Sequence, residues 1–209
     1  MKKKTVVILD DKISSPKVLK HTILKLKVNE DLSTDIIKGN IDEVVSNNEL
    51  NIFDTHADMC AKIILKYADN PPDLINIIVK DTADGQYNAF LRGLEICAFL
   101  NVDLVNISIG IMNPSVLEKY MLHKRIKMIT KNGTRVIAAY SNELKKTWPA
   151  EFDEVIGCVS LSRSNKKLKD YVVAEGRHYI RDNNGVIMLT TDSNSFATAC
   201  ITGLKCNDY

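Results

Sequence analysis

Thr5-Val6-Val7-Ile8-Leu9-Asp10 is an unbroken run of β-branched and aliphatic residues that ends in a carboxylate. A run without polar alternation is typical of a strand buried on both faces, as the central strands of parallel sheets are. Ligands bind at the carboxyl ends of such strands, so Asp10 is a candidate functional residue. The alternative is that Asp10-Asp11-Lys12 only forms the turn that ends the strand.

Strand and helix patterns alternate along most of the chain. Besides this first run, strands are predicted for residues 74–80, 102–109, 134–140 and 155–161. Helices are predicted in three places: after Thr55, over 85–100 and over 114–131. Alternation of this kind implies parallel strands joined by right-handed crossovers. The expected fold class is therefore α/β, with a mostly parallel central sheet and helices on both faces.

Local turn and capping residues support these elements. Capping residues precede the three predicted helices: Thr55, Asp84 and Asn113. Asp58, three residues after Thr55, completes a capping-box pattern. Asp182-Asn183-Asn184-Gly185 predicts a hairpin turn between two short strands. Two less clear segments are predicted as a surface helix or strand and as a short helix, at 14–27 and 41–48.

The composition is that of an ordinary globular protein, with 209 residues of which 45% are hydrophobic and 26% charged. This length suits a single domain covering 1–209. A net charge of +2 is too small to indicate nucleic-acid binding, and the basic clusters at 2–4 and 166–169 contain no aromatic residues that could stack on bases. No apolar run has the length of a membrane span, and the first residues do not form a signal-peptide pattern.

The five cysteines are scattered and include no C-x-x-C pair. This spacing favours neither a disulfide framework nor a zinc site, and we expect reduced thiols in a cytoplasmic protein. The sequence predicts no metal site and no cofactor.

Three further polar side chains lie at helix starts or strand ends. His56 falls in the first turn of the helix that Thr55 caps, and Asn142 follows the strand predicted for 134–140. Ser195 lies in Ser193-Asn194-Ser195-Phe196-Ala197-Thr198-Ala199-Cys200-Ile201-Thr202-Gly203, a polar turn that leads into an apolar helix. A helix N-terminus stabilises developing negative charge, which suits a nucleophilic hydroxyl. A serine before an apolar run is also typical of a plain helix cap.

These polar residues occur in the chain order Asp10, His56, Asn142 and Ser195, which resembles that of the subtilisin-like serine peptidases, the subtilases. Ile8-Leu9-Asp10-Asp11-Lys12 is similar to the family's Val-Ile-Asp-Ser/Thr-Gly motif. His56-Ala57-Asp58-Met59-Cys60-Ala61-Lys62 is similar to its His-Gly-Thr-His-Val-Ala-Gly motif, and the serine stretch to its Gly-Thr-Ser-Met-Ala-Thr-Pro-His-Val-Ala-Gly motif. Two non-catalytic stretches of the family also have counterparts: one resembles segment 102–110, and the other resembles 148–150 followed by 155–159. The resemblance therefore spans residues 6 to 203.

The resemblance implies a three-layer subtilisin-like fold and a serine endopeptidase that needs no cofactor. It implies that Ser195 is the nucleophile, His56 the general base and Asp10 the residue that orients the base. Asn142 and the backbone N–H of Ser195 would bind the oxyanion. An extended peptide or protein substrate would pair with a strand that includes Ile107, Ser108, Ile109 and Gly110. The pocket for the residue before the cut would be lined by Ala138, Ala139, Tyr140 and Thr147, where the bulky Tyr140 either narrows the pocket or turns away.

Several family positions differ in this chain. Lys12 and Ser193 replace glycines, Met59 replaces the second histidine, and Ala199-Cys200 replaces Pro-His. Loss of glycine affects close backbone approach, and therefore the geometry of the nucleophile turn. Because the chain ends soon after the serine helix, a homo-oligomer or a partner that completes the C-terminal region is also expected.

The preferred interpretation is an intracellular peptidase dedicated to peptide processing, such as the removal of a leader. One alternative is an inactive subtilase-fold module that binds peptides or supports assembly. Another is an α/β ligand-binding or regulatory domain unrelated to peptidases.

Overall fold

The computed structural model describes residues 3–37, 54–79, 86–164, 168 and 170–208. Several sequence-based predictions lie outside these residues: the helix at 41–48, the strand end at Lys80, the cap at Asp84 and the lysines at 166, 167 and 169.

An eight-stranded sheet forms the centre of the molecule. Its strands in chain order are β1 (Thr5–Asp10), β2 (Thr22–Val28), β3 (Thr34–Ile37), β4 (Asp73–Ile78), β5 (Leu104–Ile107), β6 (Arg135–Ala139), β7 (Val155–Ser160) and β8 (Val172–Ala174). They lie side by side as β3-β2-β4-β1-β5-β6-β7-β8, and every pair is parallel except β2 with β3. The predicted mostly parallel sheet with a buried first strand is confirmed.

Helices cover both faces of this sheet. They are α1 (Pro16–Leu19), α2 (His56–Tyr67), α3 (Gln86–Phe99), α4 (Val116–Lys131) and α5 (Asn194–Lys205). Side chains alternate across a strand, so Val6 and Ile8 pack in the core beneath α2 and α5, while Val7 and Leu9 pack beneath α3 and α4. The three-layer arrangement is therefore confirmed. None of the described helices combines the length and the hydrophobicity that a membrane span requires.

The start of α4 differs from the prediction. The cap is Ser115 and not Asn113, and the helix begins at Val116. The Ser115 hydroxyl accepts the backbone N–H of Glu118, whose carboxylate accepts the backbone N–H of Ser115. This reciprocal pair satisfies two backbone donors at once, whereas Asn113 has a left-handed backbone with φ of 54° and precedes the helix.

The segment 14–27 forms two elements where one was expected. It contains the single turn α1 and most of β2, the second strand from the sheet edge. Leu26 and Val28 are buried in β2, so the expectation of a surface element is wrong for this strand. The lysines that alternate with these residues made the strand look like an exposed segment.

The predicted hairpin is confirmed and lies outside the main sheet. Strands β9 (Tyr179–Arg181) and β10 (Ile187–Leu189) pair antiparallel. Gly185 adopts a φ of 86° in the turn, where its backbone N–H donates to the carbonyl of Asp182. A residue with a side chain is strained in this conformation, which explains the glycine.

Helices α2 and α5 approach each other closely because small residues line their contact. A Cβ placed on Gly203 would lie 2.6 Å from the carbonyl oxygen of Ile64 and 2.9 Å from Cβ of Tyr67. Ala199, one turn before Gly203, is completely buried in the same interface. This close packing brings the first turns of α2 and α5 together beside the carboxyl end of β1.

Candidate active site

Asp10 and His56 form a hydrogen-bonded pair at the carboxyl edge of the sheet. Asp10 is the last residue of β1 and is completely buried, while the His56 side chain in the first turn of α2 is 24% exposed. The Asp10 Oδ2 lies 2.7 Å from Nδ1 of His56, and Oδ1 accepts the backbone N–H of Asp11. A carboxylate on Nδ1 holds the proton there, so Nε2 is the free basic nitrogen.

Two further carboxylates fix the position of α2 relative to β1. Asp11 accepts the backbone N–H of Ala57 at 2.8 Å. Asp58 is completely buried, completes the predicted capping box with Thr55, and also accepts the backbone N–H and hydroxyl of Ser14. The capping pattern predicted the local role of Asp58, but its bonds to a loop more than 40 residues earlier in the chain required the tertiary structure.

The His56 ring lies between an aromatic side chain and a thiol. It stacks on Phe196 with ring centroids 5.5 Å apart, and the Cys60 Sγ lies 4.0 Å from Nδ1. Negative charge on Cys60, together with the Asp10 hydrogen bond, raises the pKa of His56 to about 11 against the opposing effect of burial. The positive form of the imidazole is therefore stabilised where the ring faces Asp10.

Ser195 lies in the first turn of α5, as the sequence predicts. Ser193 is the N-cap, and its hydroxyl accepts the backbone N–H of Ser195 at 3.2 Å. In the structure, the Ser195 hydroxyl and His56 do not form a hydrogen bond, although both residues lie at the same sheet edge. Such contacts are often long in the absence of substrate.

The backbone N–H of Ser195 is the group that the resemblance assigns to binding the oxyanion. In this structure that N–H donates to the Ser193 hydroxyl instead.

Asn142 follows β6, and a hydrogen bond to its side-chain oxygen holds the side chain in place. Its Oδ1 accepts the backbone N–H of Asn194 at 2.9 Å. The Asn142 Nδ2 group is on the other branch of the amide and takes no part in this hydrogen bond. Asn194 is completely buried, donates to the carbonyls of Tyr140 and Ser141, and accepts the backbone N–H of Ser160. The buried Asn194 amide therefore ties the turn that contains Ser195 to the ends of β6 and β7.

Arg163 lies near the surface and joins the loop that contains Asn142 to the segment just before α5. Its guanidinium donates to the backbone carbonyl of Asn142 at 2.9 Å, and to both the carbonyl and the carboxylate of Asp192 at 3.1 Å. Hydrogen bonds from Ser160, Ser162 and Arg163 lower the pKa of Asp192, although burial acts in the opposite direction. Sequence reasoning missed Arg163, Asp192 and Asn194, because nothing in their local pattern indicates which distant backbone groups they contact.

The predicted substrate-binding residues lie in two neighbouring segments. The first comprises Ile107 at the end of β5 and the following Ser108, Ile109 and Gly110. Ile107 is completely buried, and the next residue after the segment, Ile111, forms an antiparallel bridge with Trp148. A Cβ on Gly110 would lie 2.2 Å from the Thr147 side chain, so glycine is required where these two segments meet.

The second segment comprises Ala138, Ala139, Tyr140 and Thr147, all of which are buried. The Tyr140 ring packs on Gly157 and lies edge-on to Tyr171. The Tyr140 side chain therefore turns into the core. Thr147 accepts the backbone N–H of Ser141 at 3.0 Å and so stabilises the loop that carries Asn142.

One group of side chains among the described residues could hold a metal ion. It consists of Asp10, His56 and Cys60, with one ligand atom from each lying within 4.8 Å of the others. The sequence analysis predicts no metal site, because one thiol without a C-x-x-C partner carries no ligand pattern that can be recognised by spacing.

The fold is that of the subtilisin-like serine proteases. One similar structure is the epidermin leader peptide processing serine protease from Staphylococcus aureus, at 14% identity and a TM-score of 0.71, covering 97% of this chain and 64% of that one. The nisin leader peptidase NisP from Lactococcus lactis is 18% identical with a TM-score of 0.70, covering 97% of this chain and 76% of that one. The protease domain of PatA, as an S218A mutant, is 16% identical with a TM-score of 0.70, covering 97% and 78%.

No family model matches the sequence, and no curated protein matches it. At 14–18% identity the likeness to these solved structures concerns the fold. The chain spans less than two thirds of the length of the epidermin-processing protease.

Proposed function

We propose that the chain is a serine endopeptidase that cleaves a peptide or protein bound in extended conformation. The observation that carries this proposal is the 2.7 Å contact between buried Asp10 and His56 Nδ1, beside the first turn of the helix that contains Ser195. A buried carboxylate on a half-buried imidazole at the end of a sheet is a costly arrangement for a purely structural pair.

In the proposed reaction the Ser195 Oγ attacks the substrate carbonyl carbon as His56 Nε2 takes the hydroxyl proton. His56 then returns this proton to the leaving amine, and water releases the acyl group by the same route. Asp10 stabilises the positive imidazole while it exists. The Asn142 amide and the Ser195 backbone N–H donate to the negative oxygen. No metal or cofactor takes part in this scheme.

For the substrate we propose a precursor peptide from which the enzyme removes a leader. Two of the proteins with the same fold act on leader peptides: the epidermin leader peptide processing protease and the nisin leader peptidase. Substrate backbone would pair with the segment from Ile107 to Gly110, and the residue before the cut would lie near Ala138, Ala139, Tyr140 and Thr147. We further propose a single domain that acts in the cytoplasm, either alone or with a second subunit.

The test is labelling with a fluorophosphonate probe, which reacts with activated serine hydroxyls. We expect one modified residue, Ser195, located by mass spectrometry of the digested protein, and no modification in the Ser195→Ala variant. Well-folded protein that does not react, even with the Ser193 cap removed as described below, would contradict the peptidase proposal.

A second candidate function is an inactive module that binds extended peptides. Two observations favour it: Ser195 and His56 are not hydrogen bonded in this structure, and the Ser193 hydroxyl occupies the Ser195 backbone N–H. The same labelling experiment separates the two functions, because peptide binding does not require an activated hydroxyl.

Asn142→Ala is expected to lower kcat by about a hundred- to a thousandfold with little change in KM, as for the oxyanion donor of subtilisin. The reason is that the amide donates to charge that develops only in the transition state. Asn142→Asp keeps the oxygen that accepts the Asn194 N–H but loses the amide donor. It should therefore lose kcat as well while retaining the thermal stability of the parent. A kcat within threefold of the parent in both variants would remove Asn142 from the oxyanion site.

Ser193→Gly is expected to raise kcat by about fivefold, because it frees the Ser195 backbone N–H from a hydrogen bond that is worth about 1 kcal/mol. The stability cost is small, since glycine replaces serine at an N-cap for only a few tenths of a kcal/mol. Ser115→Gly, at the cap of α4, is the matched control and should leave kcat unchanged. The measurement is steady-state kinetics of both variants with one peptide substrate. A fall in kcat for Ser193→Gly alone would contradict the prediction and show that the cap supports the active geometry.

A further inference from the structure

Cys60 lies one helical turn after His56, on the same side of α2, and is completely buried. Its sulfur is 4.0 Å from His56 Nδ1, the nitrogen that contacts Asp10, and 3.6 Å from the Ser108 hydroxyl. The proposed peptidase reaction gives this thiol no task. Its position beside the Asp10 and His56 pair is therefore open to a separate explanation.

We propose that Asp10, His56 and Cys60 form a binding site for Zn²⁺, and that the bound ion switches off the peptidase. A thiolate, an imidazole and a carboxylate are the three ligand types that Zn²⁺ takes in proteins, and the thiolate disfavours Mg²⁺ and Ca²⁺. The inhibitory part rests on the proposed function, whereas the binding part does not.

The distances in the structure are close to those of a zinc site. Bonds of about 2.0–2.3 Å in a tetrahedral site place neighbouring ligand atoms about 3.3–3.6 Å apart. The Nδ1 to Oδ2 distance of 2.7 Å must therefore widen slightly, and the Nδ1 to Sγ distance of 4.0 Å must shorten slightly. Each of these two changes is less than about 1 Å. The Ser108 hydroxyl or a water molecule completes the fourth position.

The chemistry explains why a metal ion at this site is inhibitory. Zn²⁺ replaces the proton on Nδ1, and a neutral imidazole with metal on Nδ1 carries its proton on Nε2. Nε2 then cannot accept the Ser195 proton. The Nδ1 proton moves to Nε2, and the Cys60 thiol releases one proton to solvent as it becomes a thiolate. The bond between Asp10 and His56 that orients the base is lost at the same time.

The binding test uses the reduced 209-residue chain carrying Ser195→Ala, so that self-cleavage and turnover play no part. Zn²⁺ affinity is measured by competition with a chromophoric chelator, and X-ray absorption of the loaded protein reports the ligands. We expect one ion per chain, with one sulfur at about 2.3 Å and nitrogen or oxygen at about 2.0 Å. Cys60→Ser should weaken binding by about a hundredfold or more, since even changes beyond the direct ligands cost 10- to 100-fold.

Cys200→Ser is the matched control, because Cys200 is a buried thiol on the neighbouring helix α5. It should leave Zn²⁺ affinity within about twofold. If Cys60→Ser destabilises the chain, Cys60→Ala provides the same comparison, and the absorption spectrum of the unsubstituted chain still reports its ligands. Equal affinity in the Cys60 and Cys200 variants, or a spectrum without a sulfur ligand, would overturn the site.

The inhibition test uses the chain with Ser195 intact. Zn²⁺ should abolish fluorophosphonate labelling of the parent, and the Cys60→Ser variant should stay labelled at the same Zn²⁺ concentration. A chain that binds Zn²⁺ through Cys60 but never labels contradicts the peptidase and leaves the metal site standing. A chain that labels equally well with and without Zn²⁺ contradicts the switch and leaves the peptidase standing.

Discussion

Ser195→Ala is expected to lower kcat by about a millionfold, by analogy with loss of the nucleophile in subtilisin. The variant removes the hydroxyl that we propose attacks the substrate carbonyl, while the Asp10 and His56 pair keeps its 2.7 Å contact. Substrate binding should change little, because the hydroxyl contributes to bond formation and not to ground-state affinity. The loss should therefore appear in kcat and leave KM close to that of the parent.

The measurement is single-turnover cleavage of a peptide precursor, followed by mass spectrometry. Ser164→Ala is the matched control, since Ser164 is an exposed serine that directly follows the single 3₁₀ turn Leu161–Arg163. It should retain full turnover. Cleavage by Ser195→Ala at a rate close to that of the Ser164→Ala control would assign the nucleophile to another residue.

Asp10→Asn is expected to lower kcat by about ten-thousandfold, as the equivalent change does in serine proteases. The amide of asparagine can donate to Nδ1, which leaves the imidazole proton on Nε2 and removes its ability to accept the Ser195 proton. The variant also loses the carboxylate that stabilises the protonated ring. Because asparagine has nearly the same shape, Oδ1 still accepts the backbone N–H of Asp11 and the fold should persist.

Kinetics alone would not separate this effect from a loss of structure, so thermal unfolding is measured on the same samples. Asp103→Asn is the matched control. Asp103 accepts the backbone N–H of Thr5 at the opposite edge of the sheet. It should reduce stability at least as much as Asp10→Asn and leave kcat unchanged. Equal losses of kcat in the two variants would mean that Asp10 acts only through the fold.

The structure also bears on how the departures from the family pattern act. Ser193 stands where the family has glycine, and its hydroxyl binds the Ser195 backbone N–H. Cys60 is one of the positions at which the histidine motif of this chain differs from the family motif, and its sulfur lies against the His56 imidazole. Both differences touch the proposed machinery directly. Each therefore predicts a change in activity, and neither predicts a different fold.

The central strand, the hairpin and the cap at Thr55 were predictable because each depends on residues that are neighbours in sequence. An apolar run such as Val6 to Leu9 can lower its free energy only by burial, wherever the rest of the chain lies. The cap of α4 was predicted two residues too early, because Asn113 and Ser115 are both acceptable caps. The choice between them depended on the reciprocal bond with Glu118.

The amino-acid sequence is sufficient for the α/β class, the parallel order of strands and the presence of Asp10, His56, Asn142 and Ser195 at strand ends and helix starts. Only the tertiary structure decides which atoms meet there. Asp58 and Asn194 hold the loops, and Arg163 joins Asn142 to Asp192. Cys60 contacts the His56 imidazole, and Ser193 contacts the Ser195 backbone N–H. The physical reason is range. Hydrophobic periodicity and capping act over a few residues, whereas a hydrogen bond depends on tenths of an ångström between segments that meet only after the chain has folded.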